Sequence, residues 1–286
     1  MTPPPPPLPP PLPEPRFARI PEAARHRYEG DRFSYMEAGP ADGAPLVLLH
    51  GVGANAMYWR YQFAGLGDRW RVIAWNAPGY FLTDALRGDS PDGQAYAAAL
   101  ADFLDSLGIG AADILANSFG TRVAQYFGLH HPARVRRMVL TGAGIGREGL
   151  SEAERATALA AREAQVAAGA FSFGDRVTAL LGPHASEETT DLVRHVLRAT
   201  NPRGFLQAAR FGLRPVSSLD FVERLTMPIL LIQGDQDRVN PLADNAGPLA
   251  QALPNGRLEV LTDIGHLPEV EAPDRVNALT RAFLSA

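Results

Sequence analysis

The sequence predicts an α/β fold: a mostly parallel sheet flanked by helices, with an inserted helical cap. Three observations carry this. Short apolar runs closed by Gly or Pro recur along the chain, as buried parallel strands do. Helical patterns lie between them, so strand and helix alternate. From about Arg147 to Phe221 the alternation stops, in a stretch rich in Ala, Glu, Arg and Leu with no convincing strand.

Taken in order, the chain begins with "MTPPPPPLPPPLPEP". Proline lacks an amide donor, so this run forms extended polyproline II and no packed element. Residues 1–20 are therefore expected to be a disordered proline-rich tail; a ligand for a proline-binding groove is the other reading. Strands are expected at "RFSYMEAG" (32–39), "PLVLLHG" (45–51), "RVIAWNAPG" (71–79), "ADILANS" (112–118), "RMVLTGAG" (137–144), "PILLIQGD" (228–235) and "RLEVLTDIGH" (257–266). In "AYAAALADFLDSLG" (95–108), Tyr96, Leu100, Phe103, Leu104 and Leu107 share one helical face and Gly108 is a stop. Further helices are expected at "TRVAQYFGLHHP" (121–132) and "DRVNALTRAFL" (274–284). The expected division is a core of residues 21–146 and 222–286, with a helical cap at 147–221.

Composition narrows the function. A chain of 286 residues suits one large α/β domain with an insertion. Hydrophobic residues make up 46%, charged residues 20%, and the net charge is −4 with no basic block. Neither nucleic acid nor an anionic membrane surface is an expected partner. With no cysteine, disulfides, thiolate catalysis and cysteine-ligated metals are excluded. No signal peptide and no run of about 18 apolar residues is present, so no membrane span is expected, and the cytoplasm is taken as the compartment. His130-His131 is not a convincing metal site, because helix neighbours point about 100° apart. No phosphate loop or dinucleotide fingerprint occurs, so no cofactor is implied. The oligomeric state is not legible.

The stretch "LANSFG" places Ser118 where a strand meets a helix. A serine on such a turn is lifted above the carboxyl edge of the sheet, where open α/β folds place ligands. The usual pattern is Gly-x-Ser-x-Gly; here Ala116 replaces the first glycine. Locally the sequence leaves two readings open, a nucleophile or a serine N-cap. A nucleophilic serine needs a base, and the base an orienting carboxylate. "ILLIQGDQDRVNP" supplies Asp235 and Asp237 after one strand, and "VLTDIGHLPE" supplies His266 after the last. Ser118, Asp237 and His266 thus form a candidate triad, each just beyond a strand and in the order Ser, Asp, His. The spacing Gly234 to Asp237 favours Asp237, with Asp235 left to cap the loop; Asp263 lies too close to His266 to orient its ring.

An oxyanion would need donors. "LLHGVGAN" ends a strand at His50-Gly51, and the expected donors are the amides of Val52 and Phe119. His50 is read as a support for this loop.

These segments resemble the α/β-hydrolase superfamily from about residue 25 to the end. The carriers are "HGVG" (50–53), "NAPGY" (76–80), "ANSFG" (116–120), "GDQD" (234–237) and "GHLPEVEAP" (265–273). They look most like the capped branch that holds enol-lactone hydrolases, meta-cleavage-product hydrolases and small carboxylesterases. The resemblance implies an α/β-hydrolase fold and no cofactor. Two departures stand out. Phe81 replaces the last glycine of the usual Pro-Gly-x-Gly. Leu267 follows His266, where meta-cleavage hydrolases usually carry tryptophan. Relatives that open epoxides or displace halide use a carboxylate at the nucleophile position, which Ser118 is not.

The expected function is a serine esterase or lactonase acting through an acyl-enzyme on a small, mainly apolar ester or lactone. The alternatives are a carbon–carbon hydrolase of meta-cleavage type, a cofactor-free perhydrolase and a ligand-binding receptor on the same fold. Candidate substrate contacts are Asn117, Phe81, Phe205, Phe211 and Leu267. Phe171, Phe173 and Leu181 of the cap are read as packing residues, and Arg203 and Arg210 as surface arginines.

Overall fold

A computed structural model describes residues 9–286 of the chain. The first strand lies inside the expected tail. β1 (Pro15–Arg19) pairs antiparallel with β2 (Arg32–Ala38), Phe17 opposite Ser34. The correction is tertiary in origin, since five residues rich in Pro and Arg become a strand only because an edge accepts them. The proline run at residues 1–8 lies outside the described residues.

The remaining strands follow the apolar runs: β3 (Ala44–Leu49), β4 (Trp70–Trp75), β5 (Ala112–Asn117), β6 (Val135–Thr141), β7 (Ile229–Gly234) and β8 (Gly256–Leu261). The sheet order is β1-β2-β4-β3-β5-β6-β7-β8, antiparallel at β1-β2-β4 and parallel from β4 onward. Alternation along each strand feeds two cores, one on each face. Val47 and Leu49 enter one, while Leu46 and Leu48 enter the other.

Helices cover both faces. α1 (Arg60–Leu66) lies on one; α2 (Gly93–Ser106) and α3 (Phe119–His130) pack together on the other through Leu100, Phe103, Val123 and Phe127. Between β6 and β7 come five α-helices and no strand: α4 (Glu152–Ala167), α5 (Ala170–Gly174), α6 (Val177–Leu180), α7 (Glu187–Arg198) and α8 (Pro202–Gly212). Ser151 and Glu154 form a capping box at the start of α4, and Ser186 caps α7. The chain closes through α9 (Ala246–Ala252), α10 (Pro268–Glu271) and α11 (Pro273–Ser285). Among the described residues no helix is long and apolar enough to cross a membrane.

Candidate active site

Parallel strands bring their carboxyl ends to one edge, so the loops after β3, β5, β7 and β8 meet there. Ser118 sits between β5 and α3 with φ 52° and ψ −115°, a strained conformation for a residue with a side chain. It occupies the N-cap position, yet its hydroxyl makes no capping bond. The turn is held by its backbone: Ser118 N–H donates to Thr141 O at 3.1 Å, and Thr121 Oγ1 donates to Ser118 O at 2.6 Å. The neighbouring glycines supply clearance. A Cβ on Gly120 would lie 2.2 Å from Leu49 O, and one on Gly51 would lie 3.1 Å from Ser118 Cβ.

Behind the serine, His266 Nδ1 meets Asp237 Oδ2 at 2.8 Å, with both side chains buried. The same oxygen accepts Gln233 Nε2 at 2.7 Å; Oδ1 accepts the amides of Val239 at 2.8 Å and Asn240 at 2.9 Å. Burial pushes the Asp237 pKa up, but the bond and charge of His266, with the two amides, outweigh it and hold the pKa below the usual value. Asp235 turns away and accepts Asp263 N–H at 2.8 Å, tying the two loops together. Among the described residues no hydrogen bond joins Ser118 Oγ to His266, although both line one cavity.

Asn117, expected to touch substrate, is buried, and its Nδ2 donates to Thr141 Oγ1 at 3.2 Å and His266 O at 3.2 Å. It lines the cavity while fixing the histidine loop. Glu269 was not foreseen. It is fully buried, its Oε1 accepts the Thr141 hydroxyl at 3.0 Å, and burial, helped by the charge of Glu271, raises its pKa to about 8.

The amides of Val52 and Phe119 donate no hydrogen bond among the described residues, and both residues line the cavity. Phe119 is also the first residue of α3, at the positive end of a helix of 12 residues. His50 is a buttress. Its Nε2 accepts Ala77 N–H at 3.1 Å, so Nδ1 carries the proton toward Gly51 O at 2.8 Å. Burial lowers its pKa to about 4, which keeps the ring neutral.

Of the other expected contacts, Phe211 and Leu267 line the cavity. Phe81 does not. Its φ of 49° belongs to a turn, and it lies half-buried outside the cavity wall. Phe205 does not either, because it packs edge-on to Phe173, centroids 4.9 Å apart. Arg203 and Arg210 pair at the surface, Arg203 with Glu29 and Asp89, Arg210 with Glu163. The cavity also receives Arg122, Arg147, Arg162 and Arg176. One was legible: a spacing of four from Ser118 sets Arg122 one turn along the same face of α3. The cavity holds about 190 Å³. An engineered cavity of roughly 150 Å³ takes up benzene, so this one suits a small molecule. Among the described residues no three His, Asp or Glu side chains cluster to hold a metal.

Fold and site together define a hydrolase of the alpha/beta fold. The family described as alpha/beta hydrolase fold matches residues 44–273, and the chain belongs to it. Among relatives, a 2-hydroxy-6-oxononadienedioate/2-hydroxy-6-oxononatrienedioate hydrolase of Burkholderia vietnamiensis is 29% identical over 267 residues, 88% of this chain and 91% of that protein. A 3-oxoadipate enol-lactonase of Acinetobacter baylyi is 26% identical over 253 residues, 88% of this chain and 92% of that protein. A thermophilic esterase of Thermogutta terrifontis, solved with malate, superposes with a TM-score of 0.82 at 22% identity, over 94% of this chain and 98% of that one.

Proposed function

We propose that the chain is a serine hydrolase of small carboxylic esters or lactones. The observation that carries this is the Asp237–His266 pair at 2.8 Å beside a serine whose strained turn leaves its hydroxyl unused. His266 Nε2 takes the Ser118 proton as Oγ attacks the substrate carbonyl. Asp237 holds the ring by Nδ1 and stabilises its cation. The free amides of Val52 and Phe119 receive the oxyanion. His266 returns the proton to the departing alkoxide, leaving an acyl-enzyme. Water, deprotonated by His266, then releases the acid. In this reading residues 147–221 act as a cap over the site.

The test is hydrolysis of short p-nitrophenyl esters by the intact chain and by Ser118→Ala. Burst release of p-nitrophenol that vanishes in the variant supports the acyl-enzyme. Turnover retained without Ser118 overturns it. The names of several relatives favour a second reading, carbon–carbon cleavage of a dienoate; Leu267, where the resemblance to meta-cleavage hydrolases implies tryptophan, weighs against it. Turnover of a ring-cleavage dienoate exceeding that of every ester would select it.

A further inference from the structure

We propose that the cavity above Ser118 is an anion site. On the reading of Ser118 as the nucleophile, its substrate carries a carboxylate remote from the bond attacked, held by Arg122, Arg147, Arg162 and Arg176.

Charge imbalance is the first argument. Four guanidinium groups line the cavity and no acidic side chain does. On the inserted helices Arg194, Arg203 and Arg210 each meet a carboxylate, whereas among the described residues Arg155 and Arg198 do not. None of the cavity arginines forms an ion pair among the described residues. Burying a charge without a partner is costly, so Arg122, buried beside three half-buried arginines, calls for a ligand of opposite sign.

Arg122 makes the case sharpest. It is 5% exposed, and its Nε and Nη2 have no acceptor. Its guanidinium lies over the rings of Tyr126 at 5.8 Å and Phe211 at 5.3 Å. The other three are also under-used. Arg176 reaches Val52 O at 3.5 Å and stacks on Phe205. Arg147 reaches Val239 O at 2.9 Å, and Arg162 donates no hydrogen bond among the described residues. The four form a connected series of like charges. Beyond burial, Arg147 depresses Arg122 and Arg162, while Arg162 depresses Arg176. Burial and that repulsion bring the pKa of Arg176 down to about 10, so it remains charged at neutral pH.

Placement relates the charges to the chemistry. Arg122 stands one turn beyond Ser118, Arg176 against the Val52 loop, and Arg147 against the loop after Asp237. Between them are apolar walls, Leu180, Val193 and Leu197. A short aliphatic acid fits: an apolar stem with a planar head that a guanidinium grips by two bonds. A phosphate would want a nest of backbone amides, and no glycine-rich phosphate loop is present.

The experiment has two arms. In Ser118→Ala, adipate at millimolar concentration should raise Tm and bind by calorimetry, while 1,6-hexanediol, its neutral counterpart in length, does neither. Arg122→Gln and Arg176→Gln, each in that background, should weaken adipate by about tenfold or more, as losing a hydrogen bond to a charged group does. With the active enzyme, kcat/KM for monoethyl adipate should exceed that for ethyl hexanoate by about tenfold or more, on the same reasoning. Adipate binding without turnover of either ester would keep the anion site and overturn the esterase reading. Ester turnover with no charge preference and no adipate binding would overturn the anion site alone. Tighter binding of inorganic phosphate than of adipate would overturn the carboxylate assignment. Arg122→Met separates ligand binding from structure. Without ligand its Tm should equal or exceed the wild-type value, whereas a structural arginine would lower it on removal.

Discussion

The two walls of the cavity treat polar atoms in opposite ways. On the sheet side, Asp237 accepts four hydrogen bonds and the Asn117 amide group donates to three acceptors. Around the arginines, among the described residues, Arg122 buries Nε and Nη2 with no acceptor and Arg162 forms no ion pair. The sheet edge is assembled in advance, its geometry independent of any ligand. The arginine wall is incomplete until an anion arrives. Preorganisation and recognition are thus separated in space, one on strand-end loops and the other on α3 and the segment inserted after β6.

Breaking the assembled side should cost most. Ser118→Ala is expected to lower kcat on p-nitrophenyl acetate by about a millionfold, the scale of losing a serine nucleophile. A loss under about tenfold would place the chemistry elsewhere. Asp237→Asn keeps the shape but inverts the hydrogen bond to Nδ1; a loss of about ten thousandfold in kcat is expected by steady-state kinetics. Gly142→Ala should cost about a hundredfold by displacing the base. Its φ is 53°, and a Cβ would lie 3.0 Å from His266 Nδ1.

On the sheet side Glu269 is a buried carboxyl whose Oε2 has no partner among the described residues. Its folded pKa, about 8, lies above the ordinary glutamate value of 4.5, so the folded state holds a proton that the unfolded state releases. That contribution is complete below pH 4.5 and declines as pH rises toward 8. The loss is of order a few kcal/mol, since a tenfold change in proton affinity is worth about 1.4 kcal/mol. Glu269→Gln should not show that decline, and its Tm advantage over wild type should widen between about pH 5 and pH 8. A constant difference would mean Glu269 is ionised in the fold. The smallest effect belongs to Arg203→Ala, whose partners are partly exposed; urea unfolding should show a loss under about 1 kcal/mol, with adipate binding unaffected.

What was legible in the sequence follows from the range of the forces involved. Buried parallel strands announce themselves locally, because both faces must be apolar. The candidate triad could be read because each member follows a strand, and parallel strands deliver their ends to one edge. β1 could not, since its pairing with β2 is a long-range event. Phe81 and Phe205 were misplaced because turn geometry and a facing Phe173 decide where a ring goes. The cavity arginines were missed for a related reason. In sequence Arg162 and Arg176 look no different from Arg203 and Arg210; only the rotation and docking of helices separates those that face inward.

One contact across the two walls bears on engineering. His266 N–H donates to Leu180 O at 2.7 Å, and Glu271 accepts the amides of both Gly182 and Gly265. Gly182 and Gly265 touch backbone to backbone, where a Cβ on Gly265 would lie 2.4 Å from Gly182 N. The insertion is therefore not an interchangeable module. A chimera that imports another protein's helices to change substrate range must also import this tripeptide, residues 180–182, in register. Otherwise it exchanges specificity for a histidine whose main chain has lost its anchor.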